Sequence, residues 1–334
     1  MPRYRTAGTG AARARIDKGD EAVREAALEA QVKGIVLLKN EGVLGPEGSL
    51  AAAGRDRLRA YVPLRVTEAC RVAGEADAYP WVDQPATCEL PAARGMLECY
   101  FDVLTDPEPL AGEKDLTAAN VVRRSATEVA DCDVVLVFAK PPANASALAG
   151  RDESLGYVPL SLQYRPYVAD SEYVRRASLA GDALAGGTRE NRSYVGKTSQ
   201  VTNEAQLDQI LAAAAVAHGV GKPCVVVLDA KQPCCVHEFE REVDVIVLSL
   251  SGSDEAACRI VAGADEPSGL LPFQMPADMV AVEKQLEDAP RDMDCYVDAA
   301  GHTYDFMYGL SWSGVIEDDR TRTYGVEPLW EPEQ

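Results

Sequence analysis

Uninterrupted apolar runs, without alternation of polar and apolar residues, recur along the chain. The clearest ones are IVLLK at 35–39, DVVLVFA at 133–139, CVVVLD at 224–229 and VDVIVLSL at 243–250. Strands that are covered on both faces have this pattern, which is typical of parallel sheets. A weaker run at 59–66 predicts one more strand, and its Pro63 indicates an edge or a bulge because proline has no amide hydrogen.

Helical patterns separate these runs. Asp20 is a candidate cap for a helix that ends at Gly34 and carries Val23, Ala27, Ala30 and Val32 on one side. A second helix is predicted over 116–130, and a short one over 254–262.

The most regular helical pattern spans 203–219. Asn203 and Gln206 have the form of a capping box, and Gly219 suits the left-handed position that often ends a helix. A late strand is predicted over 304–312, YDFMYGLSW. Pro267 and Gly269 predict a tight turn with a positive φ at the glycine, and Gly309 predicts close backbone packing.

Strands that alternate with helices predict an α/β fold, specifically a three-layer α/β/α sandwich around a mostly parallel sheet. Residues 1–33 are predicted to be a flexible lead-in followed by an interdomain-type helix. The sandwich is expected over 34–314, with a long irregular insertion at 140–201, and residues 315–334 form a tail.

In open α/β sheets, ligands bind beyond the carboxyl ends of the parallel strands. The polar residues that follow the predicted strands are Lys39–Asn40–Glu41, Lys140, Asp229–Lys231 and Ser249–Ser253. We expect all of them along one rim. Glu153, in the segment RDESLGY at 151–157, lies in the loop that extends from it.

Composition excludes several classes of function. The formal net charge of −20 argues against nucleic acid or an anionic membrane as a partner, and no apolar run approaches a membrane span of about 20 residues. The N-terminal segment has no apolar core of a secretory signal, and the nine cysteines are scattered, so we expect reduced thiols and a cytoplasmic location. Metal and cofactor sites are not expected: the three histidines are far apart, GVGKP at 219–223 fails as a phosphate loop, and no GxGxxG or GxSxG is present.

Four segments in order resemble the C-terminal domain of family 3 glycoside hydrolases, which include many β-glucosidases. They are AALEAQVKGIVLLKNEG at 26–42, KPCVVVLDAKQP at 222–233, IVAGADEPSGLLPFQMP at 260–276 and YDFMYGLSW at 304–312. In this family a (β/α)₈ barrel precedes the domain and carries the aspartate nucleophile in a segment like SDW. This sequence has no SDW and no room for a barrel of ~250 residues.

The resemblance also implies an acid/base glutamate in a loop after a central strand. ESLGY at 153–157 resembles the family pattern Glu-Ser-Glu-Gly-Tyr, with Glu153 retained and Tyr157 beside it. TRENRSY at 188–194 is the other match: Asn191-Arg192 stand in place of Asp-Arg, and Glu190 lies two residues before the arginine. Both glutamates stay open as the acid/base residue. Lys39 and Asn40, together with Tyr157 and Arg192, are the candidate substrate contacts.

The implied reaction is retaining hydrolysis of terminal β-glycosides, for which a second carboxyl group must lie about 5–5.5 Å from the first. We therefore expect this chain to be inactive without a barrel domain, supplied in trans or through a homo-oligomer. An exposed apolar patch at the docking site would favour this interpretation. The alternatives are a non-catalytic module that binds a sugar or a protein partner, and a truncated product without function.

Overall fold

The computed structural model describes residues 21–73, 81–109, 116–145, 151–178, 181–286 and 289–326. An eight-stranded sheet lies at the centre of the fold. Its strands in chain order are β1 (Ile35–Asn40), β2 (Leu58–Val62), β3 (Phe101–Thr105), β4 (Val134–Ala139), β5 (Cys224–Asp229), β6 (Val245–Ser249), β7 (Leu310–Ser311) and β8 (Gly314–Val315).

The spatial order of the strands is β8-β7-β1-β6-β5-β4-β2-β3. The five strands from β6 to β3 run parallel to one another, whereas β1 pairs antiparallel with β6, and β7 and β8 continue antiparallel beyond it. The chain passes from β2 outward to β3 and then returns to the other side of β2 to form β4. The sheet therefore changes winding direction between β2 and β4.

Eight α-helices flank this sheet within the described residues. They are α1 (Glu21–Lys33), α2 (Ser49–Ala52), α3 (Arg94–Tyr100), α4 (Ala126–Ala130), α5 (Ala205–Gly219), α6 (Asp254–Val261), α7 (Met279–Lys284) and α8 (Asp319–Tyr324). Helices α1 and α3 pack on α6, whereas α4 packs on α5. Two helical layers enclose the sheet, and the fold is the predicted three-layer α/β/α sandwich.

Valine-rich sequences build the central strands because β-branched side chains suit a pleated surface that is covered on both faces. Every residue of β4 is buried, as are all residues of β6. Two short 3₁₀ turns, Val236–Glu238 and Glu240–Glu242, connect β5 to β6. The apolar runs of the sequence are thus confirmed as the core of the sheet.

Short antiparallel strand pairs form in the loops. They pair Arg65–Thr67 with Thr87–Glu89, Cys70–Ala73 with Trp81–Gln84, Arg151–Asp152 with Gly156–Tyr157, and Tyr167–Val168 with Thr198–Ser199. The last two belong to the predicted insertion, where two-residue strands are the only strands among the described residues.

The first two helices differ from their predictions. The predicted cap of α1, Asp20, lies outside the described residues, and the face with Val23, Ala27 and Ala30 is exposed. Helix α1 is anchored at its C-terminal end, where Val32 is buried. The helix predicted over 116–130 is confined to α4, because a capping box between Ser125 and Glu128 starts the helix only there.

Strand β2 is central, not an edge. It pairs with β3 on one side and with β4 on the other, so the edge predicted from Pro63 is wrong. Pro63 follows the last residue of β2, where the missing amide hydrogen ends the strand without breaking the sheet.

The capping-box prediction for α5 is also wrong. Asn203 Oδ1 accepts a hydrogen bond from Ala143 N at 2.8 Å, and Gln206 Oε1 accepts one from Lys140 N at 2.8 Å. Both side chains therefore fix the loop after β4. The left-handed residue after this helix is Gly221, with φ +68°, and not Gly219.

Of the late strand predicted over 304–312, only β7 forms. Met307 interrupts it with a φ of 70°, and the rings of Tyr304 and Tyr308 stack with centroids 5.1 Å apart. Gly309 packs as predicted: a Cβ there would lie 2.3 Å from Gly269 O. Gly269 does not have the positive φ predicted for it. Glycine is needed there because a Cβ would lie 2.4 Å from Ile35 O.

Candidate functional site

The segment RDESLGY folds into a tight hairpin. Asp152 Oδ1 accepts hydrogen bonds from Ser154 N and Leu155 N, both at 2.8 Å, and Gly156 completes the turn with φ +71°. The hydroxyl of Ser154 also donates to Asp152 and lowers the pKa of its carboxyl group. Glu153 lies at the tip of the turn with its side chain 47% exposed, in an ion pair with Arg71.

A backbone hydrogen bond positions the second candidate loop, TRENRSY. Glu190 N donates to Asp182 O at 2.9 Å, and Gly181 permits this approach because a Cβ there would lie 2.1 Å from Glu190 O. Arg192 forms ion pairs with Glu190 at 2.7 Å and with Asp182 at 3.0 Å. The side chain of Glu190 is 36% exposed.

The two loops contact each other. The guanidinium carbon of Arg192 lies 5.0 Å from the ring centroid of Tyr157, which is cation–π geometry. Lys197 Nζ, from the segment after the second loop, donates to the carbonyls of Leu155 and Tyr157 at 2.9 and 2.7 Å. Tyr157, Glu190 and Arg192 are therefore one cluster, and Glu153 lies on the hairpin that carries Tyr157.

Lys39 and Asn40 are at the opposite edge of the sheet. Because β1 is antiparallel to β6, Asn40 pairs with Val245, the first residue of β6. The prediction that Lys39–Asn40–Glu41 share a rim with Lys140, Asp229–Lys231 and Ser249–Ser253 is wrong for this reason. An apolar run carries no information on strand direction.

Both of these side chains have intramolecular partners. Lys39 is buried; its Nζ donates to Glu240 O at 2.8 Å and forms ion pairs with the carboxylates of Glu41 and Glu240 at 2.9 and 3.3 Å. Asn40 Oδ1 accepts from the amides of Val43 and Leu44 at 3.1 and 3.0 Å. These contacts stabilise the turn after β1.

Charged side chains from four strand ends surround a cleft at the carboxyl edge of the parallel strands. We call it the carboxyl-edge cleft; Arg65, Lys140, Asp229 and Asp254 line it, and its volume is about 180 Å³. A second cavity of about 420 Å³ adjoins it, shares Lys140 and Asp229, and has Pro141, Pro142, Leu160 and Leu162 in its wall.

The pKa of one carboxyl group in this cleft is raised. Burial raises the pKa of Asp254, and the negative charge of Asp229 raises it further, while Arg65 and Lys140 act in the opposite direction. Sequence inspection identified Lys140 and Asp229 as rim residues but missed Arg65 and Asp254. The same rule, applied to the residues shortly after β2 and β6, would have found both.

Metal ligands do not gather in the described part of the chain, where no three His, Cys, Asp or Glu side chains are placed to hold an ion. All nine cysteines lie within that part and are free thiols. A search of the same residues for a helix long and apolar enough to cross a membrane finds none.

Comparison with known families settles the relationship that these motifs indicate. The sequence model described as the glycosyl hydrolase family 3 C-terminal domain matches residues 35–312. The chain belongs to this family. The match extends from β1 to the residue after β7, so this family 3 domain includes nearly all of the sheet.

Curated relatives are β-glucosidases. β-Glucosidase C of Emericella nidulans is 32% identical over 84 residues, which are 25% of this chain and 14% of that protein. The probable β-glucosidase C of Aspergillus flavus is 30% identical over 91 residues, 27% of this chain and 13% of that protein. The family 3 domain therefore matches only about a seventh of the length of these relatives.

Solved structures give a similar result. A β-glucosidase from Listeria innocua in complex with isofagomine has 16% identity and a TM-score of 0.42, covering 87% of this chain and 34% of that one. β-Glucosidase 3B from Thermotoga neapolitana in complex with glucose has 17% identity and a TM-score of 0.42, covering 93% and 37%. This chain covers about a third of each of these β-glucosidases.

Proposed function

We propose that this family 3 domain contributes the acid/base glutamate to retaining hydrolysis of terminal β-glycosides, and that a barrel domain must supply the second carboxylate. The observation that carries the proposal is the contact between Tyr157 and Arg192. It joins the two loops that resemble the acid/base loop of the family into one cluster. Glu190 belongs to this cluster through Arg192, and Glu153 lies on the hairpin that carries Tyr157.

The exposure of both glutamates supports the need for a second domain. A general acid must hold a proton near neutral pH, and a carboxyl group does so when it is shielded from water. Glu153 and Glu190 are instead 47% and 36% exposed, and each forms an ion pair with an arginine. A partner that covers the loops, excludes water and draws the arginine away from the glutamate would favour the protonated form that a general acid needs.

Apolar side chains on the same insertion support such a partner. Six large apolar side chains are exposed among the described residues of 151–178 and 181–201: Leu155, Leu160, Val168, Tyr173, Leu184 and Val195. If they form one contiguous patch when assembled, such a surface is typical of an interface. The partner is a barrel domain in trans, and a homo-oligomer of this chain is the alternative. The substrate is a β-linked carbohydrate that binds between the two domains.

The test combines this chain with a separately produced family 3 barrel domain and measures hydrolysis of aryl β-glucosides. We expect no turnover by the chain alone and turnover by the mixture. Replacing the true acid/base residue, in Glu153→Gln or Glu190→Gln, should lower the rate on a phenyl glucoside by about 10²–10⁴-fold. The loss should be far smaller on a dinitrophenyl glucoside, because that leaving group departs without protonation.

Glu172→Gln is the matched control, since Glu172 is an exposed glutamate of the same insertion. It should leave both rates unchanged. Turnover by the chain alone that either glutamine substitution removes would refute the need for a barrel. A mixture whose phenyl glucosidase activity survives both substitutions would refute the acid/base role.

A further inference from the structure

Two adjacent arginines precede a serine in the insertion, in the sequence RRAS at 175–178. Arg175 and Arg176 are exposed, Ser178 is half-buried, and the segment forms neither helix nor strand. Serine kinases that select basic substrates hold arginines two and three residues before the serine with carboxylates, through bidentate ion pairs. The segment 175–178 therefore presents the charged groups that such an enzyme binds.

A second pair of arginines in the chain lies before another serine but is not presented in this way. Arg123 pairs with Asp106 at 2.7 Å, and Arg124 pairs with Glu128 at 2.8 Å. Ser125 Oγ accepts a hydrogen bond from Glu128 N and caps helix α4. The guanidinium groups of this pair are held by carboxylates of the chain itself, so this serine is an internal negative control.

Ser178 is joined to the second candidate loop, TRENRSY. Its amide donates to Asn191 Oδ1 at 2.9 Å, and its Oγ accepts from Arg192 N at 2.8 Å. Asn191 Nδ2 donates in turn to Arg176 O at 3.1 Å. Each of these bonds uses a side chain in a surface loop, and such contacts open locally without disturbing a sheet. Opening gives an enzyme access to the serine hydroxyl.

A phosphate on Ser178 would change the partners of Arg192. It adds almost two negative charges at neutral pH and three strong acceptor oxygens. These oxygens would lie beside Arg192, because the amide of this residue already donates to Ser178 Oγ. The guanidinium group of Arg192 now pairs with Glu190 at 2.7 Å and with Asp182 at 3.0 Å. A doubly charged phosphate attracts that group more strongly than one carboxylate does, and it can bind it in bidentate geometry.

We propose that Ser178 is a phosphorylation site for an arginine-directed serine kinase, and that the phosphoserine draws Arg192 away from Glu190. ATP is the second substrate: the Ser178 hydroxyl oxygen bonds to its γ-phosphorus, the bond from that phosphorus to the bridging oxygen breaks, ADP leaves, and the hydroxyl proton passes to the base of the kinase. In the proposed function this exchange regulates Glu190. The modification itself needs no barrel domain and no glycosidase activity.

The experiment incubates the folded, isolated chain with MgATP and the catalytic subunit of cyclic-AMP-dependent protein kinase, and maps the phosphate by mass spectrometry. We expect one phosphate per chain, on Ser178 and not on Ser125. Ser178→Ala should abolish incorporation. Combined Arg175→Gln and Arg176→Gln should lower kcat/KM of the kinase by at least about 10²-fold, since two charge-assisted pairs are lost and each is worth about tenfold or more.

Arg189→Gln is the matched control, because Arg189 is an exposed arginine of the same insertion that does not lie two or three residues before a serine. It should leave the rate of phosphorylation unchanged. The inference is overturned if the folded chain takes up no phosphate on Ser178, or if the variant without Arg175 and Arg176 is phosphorylated as fast as wild type.

A second measurement follows the partner of Arg192. Arg192 Nε donates to Glu190 at 2.7 Å, so its N–H resonance should shift when Ser178 is phosphorylated. Arg259 Nε donates to Asp265, and its resonance should stay in place. An unchanged Arg192 resonance in the phosphorylated chain would overturn the exchange of partners. If Ser178 is modified and the resonance shifts while a mixture with a barrel domain stays inactive, this inference holds and the proposed function alone fails.

Discussion

Charged residues lie at both edges of the central sheet, but they are paired with each other at one edge and unpaired at the other. At the amino edge of the parallel strands, Lys39 is buried against Glu240, and the hydroxyl of Tyr296 donates to the same carboxylate at 2.7 Å. At the carboxyl edge, Lys140 and Asp229 are close enough to line one cleft yet remain without partners in the described part of the chain. The buried charges of the amino edge are paired with each other, although Glu240 Oε1 accepts no hydrogen bond among the described residues, whereas the charges of the carboxyl edge are unpaired there.

The same types of charged residue can stabilise the fold when they are paired, or serve another role when they are not. Removing one member of a buried ion pair is costly, because the other charge is left buried without a counter-charge. Unpaired polar groups reduce stability, and proteins retain them mainly where a ligand supplies the missing contacts. Substitutions should therefore have opposite signs at the two edges.

The largest effect is expected from Glu240→Gln. Glu240 is completely buried, and the substitution leaves the buried ammonium group of Lys39 without its internal counter-charge. Breaking a buried pair in this way costs about 3–5 kcal/mol, and we expect the lower end because Glu41 still pairs with Lys39. Urea unfolding measures the loss.

The matched control is Glu41→Gln, which removes the other counter-charge of Lys39. The side chain of Glu41 is 56% exposed. Its substitution should cost less than about 1 kcal/mol, because solvent screens exposed pairs. Equal losses from the two variants would show that burial does not distinguish these contacts and would weaken the comparison between the edges.

A matched pair of hydroxyl deletions sharpens the comparison. Tyr296→Phe removes a hydroxyl that donates to a buried carboxylate at the amino edge, and should lower the free energy of unfolding by about 1.5–3 kcal/mol. Ser249→Ala removes a buried hydroxyl without a partner at the carboxyl edge, and should raise it by up to about 1 kcal/mol. Denaturant curves compare the two variants directly, and a loss in both would contradict the proposed asymmetry.

The strands of the sheet could be predicted from sequence, but not all their directions. Apolar runs of β-branched residues identified β1, β4, β5 and β6, because burial on both faces imposes that composition. Orientation is decided by long-range pairing. Lys39 and Asn40 were consequently assigned to the edge opposite the one they occupy.

The candidate site residues follow from the sequence one by one, but their arrangement does not. Sequence patterns identified Glu153, Tyr157, Glu190 and Arg192, yet treated the two loops as competing alternatives. Their contact joins residues 35 positions apart in a segment without regular structure, and no periodicity records it. The capping residues of α5 failed for a related reason: Asn203 and Gln206 bond to the distant loop after β4 instead of to their own helix.

Asp254→Asn should change the free energy of unfolding least, and its effect should depend on pH. Burial and the charge of Asp229 raise the pKa of Asp254 above its unfolded value of about 3.9, so the folded state binds this proton more tightly than the unfolded state does. Wild type therefore loses stability as pH rises through the window between these two pKa values. Asparagine cannot ionise, and the variant should be more stable than wild type above the window and indistinguishable from it below.

Asp318→Asn provides the control of opposite sign. Arg320 lowers the pKa of Asp318, so this carboxylate contributes stability above its unfolded pKa, and the contribution disappears as pH falls. Unfolding free energies measured from about pH 3.5 to 7 should show the Asp254 variant gaining and the Asp318 variant losing stability with rising pH relative to wild type. Parallel curves for both would contradict the ionised, unpartnered Asp254 on which the open carboxyl edge depends.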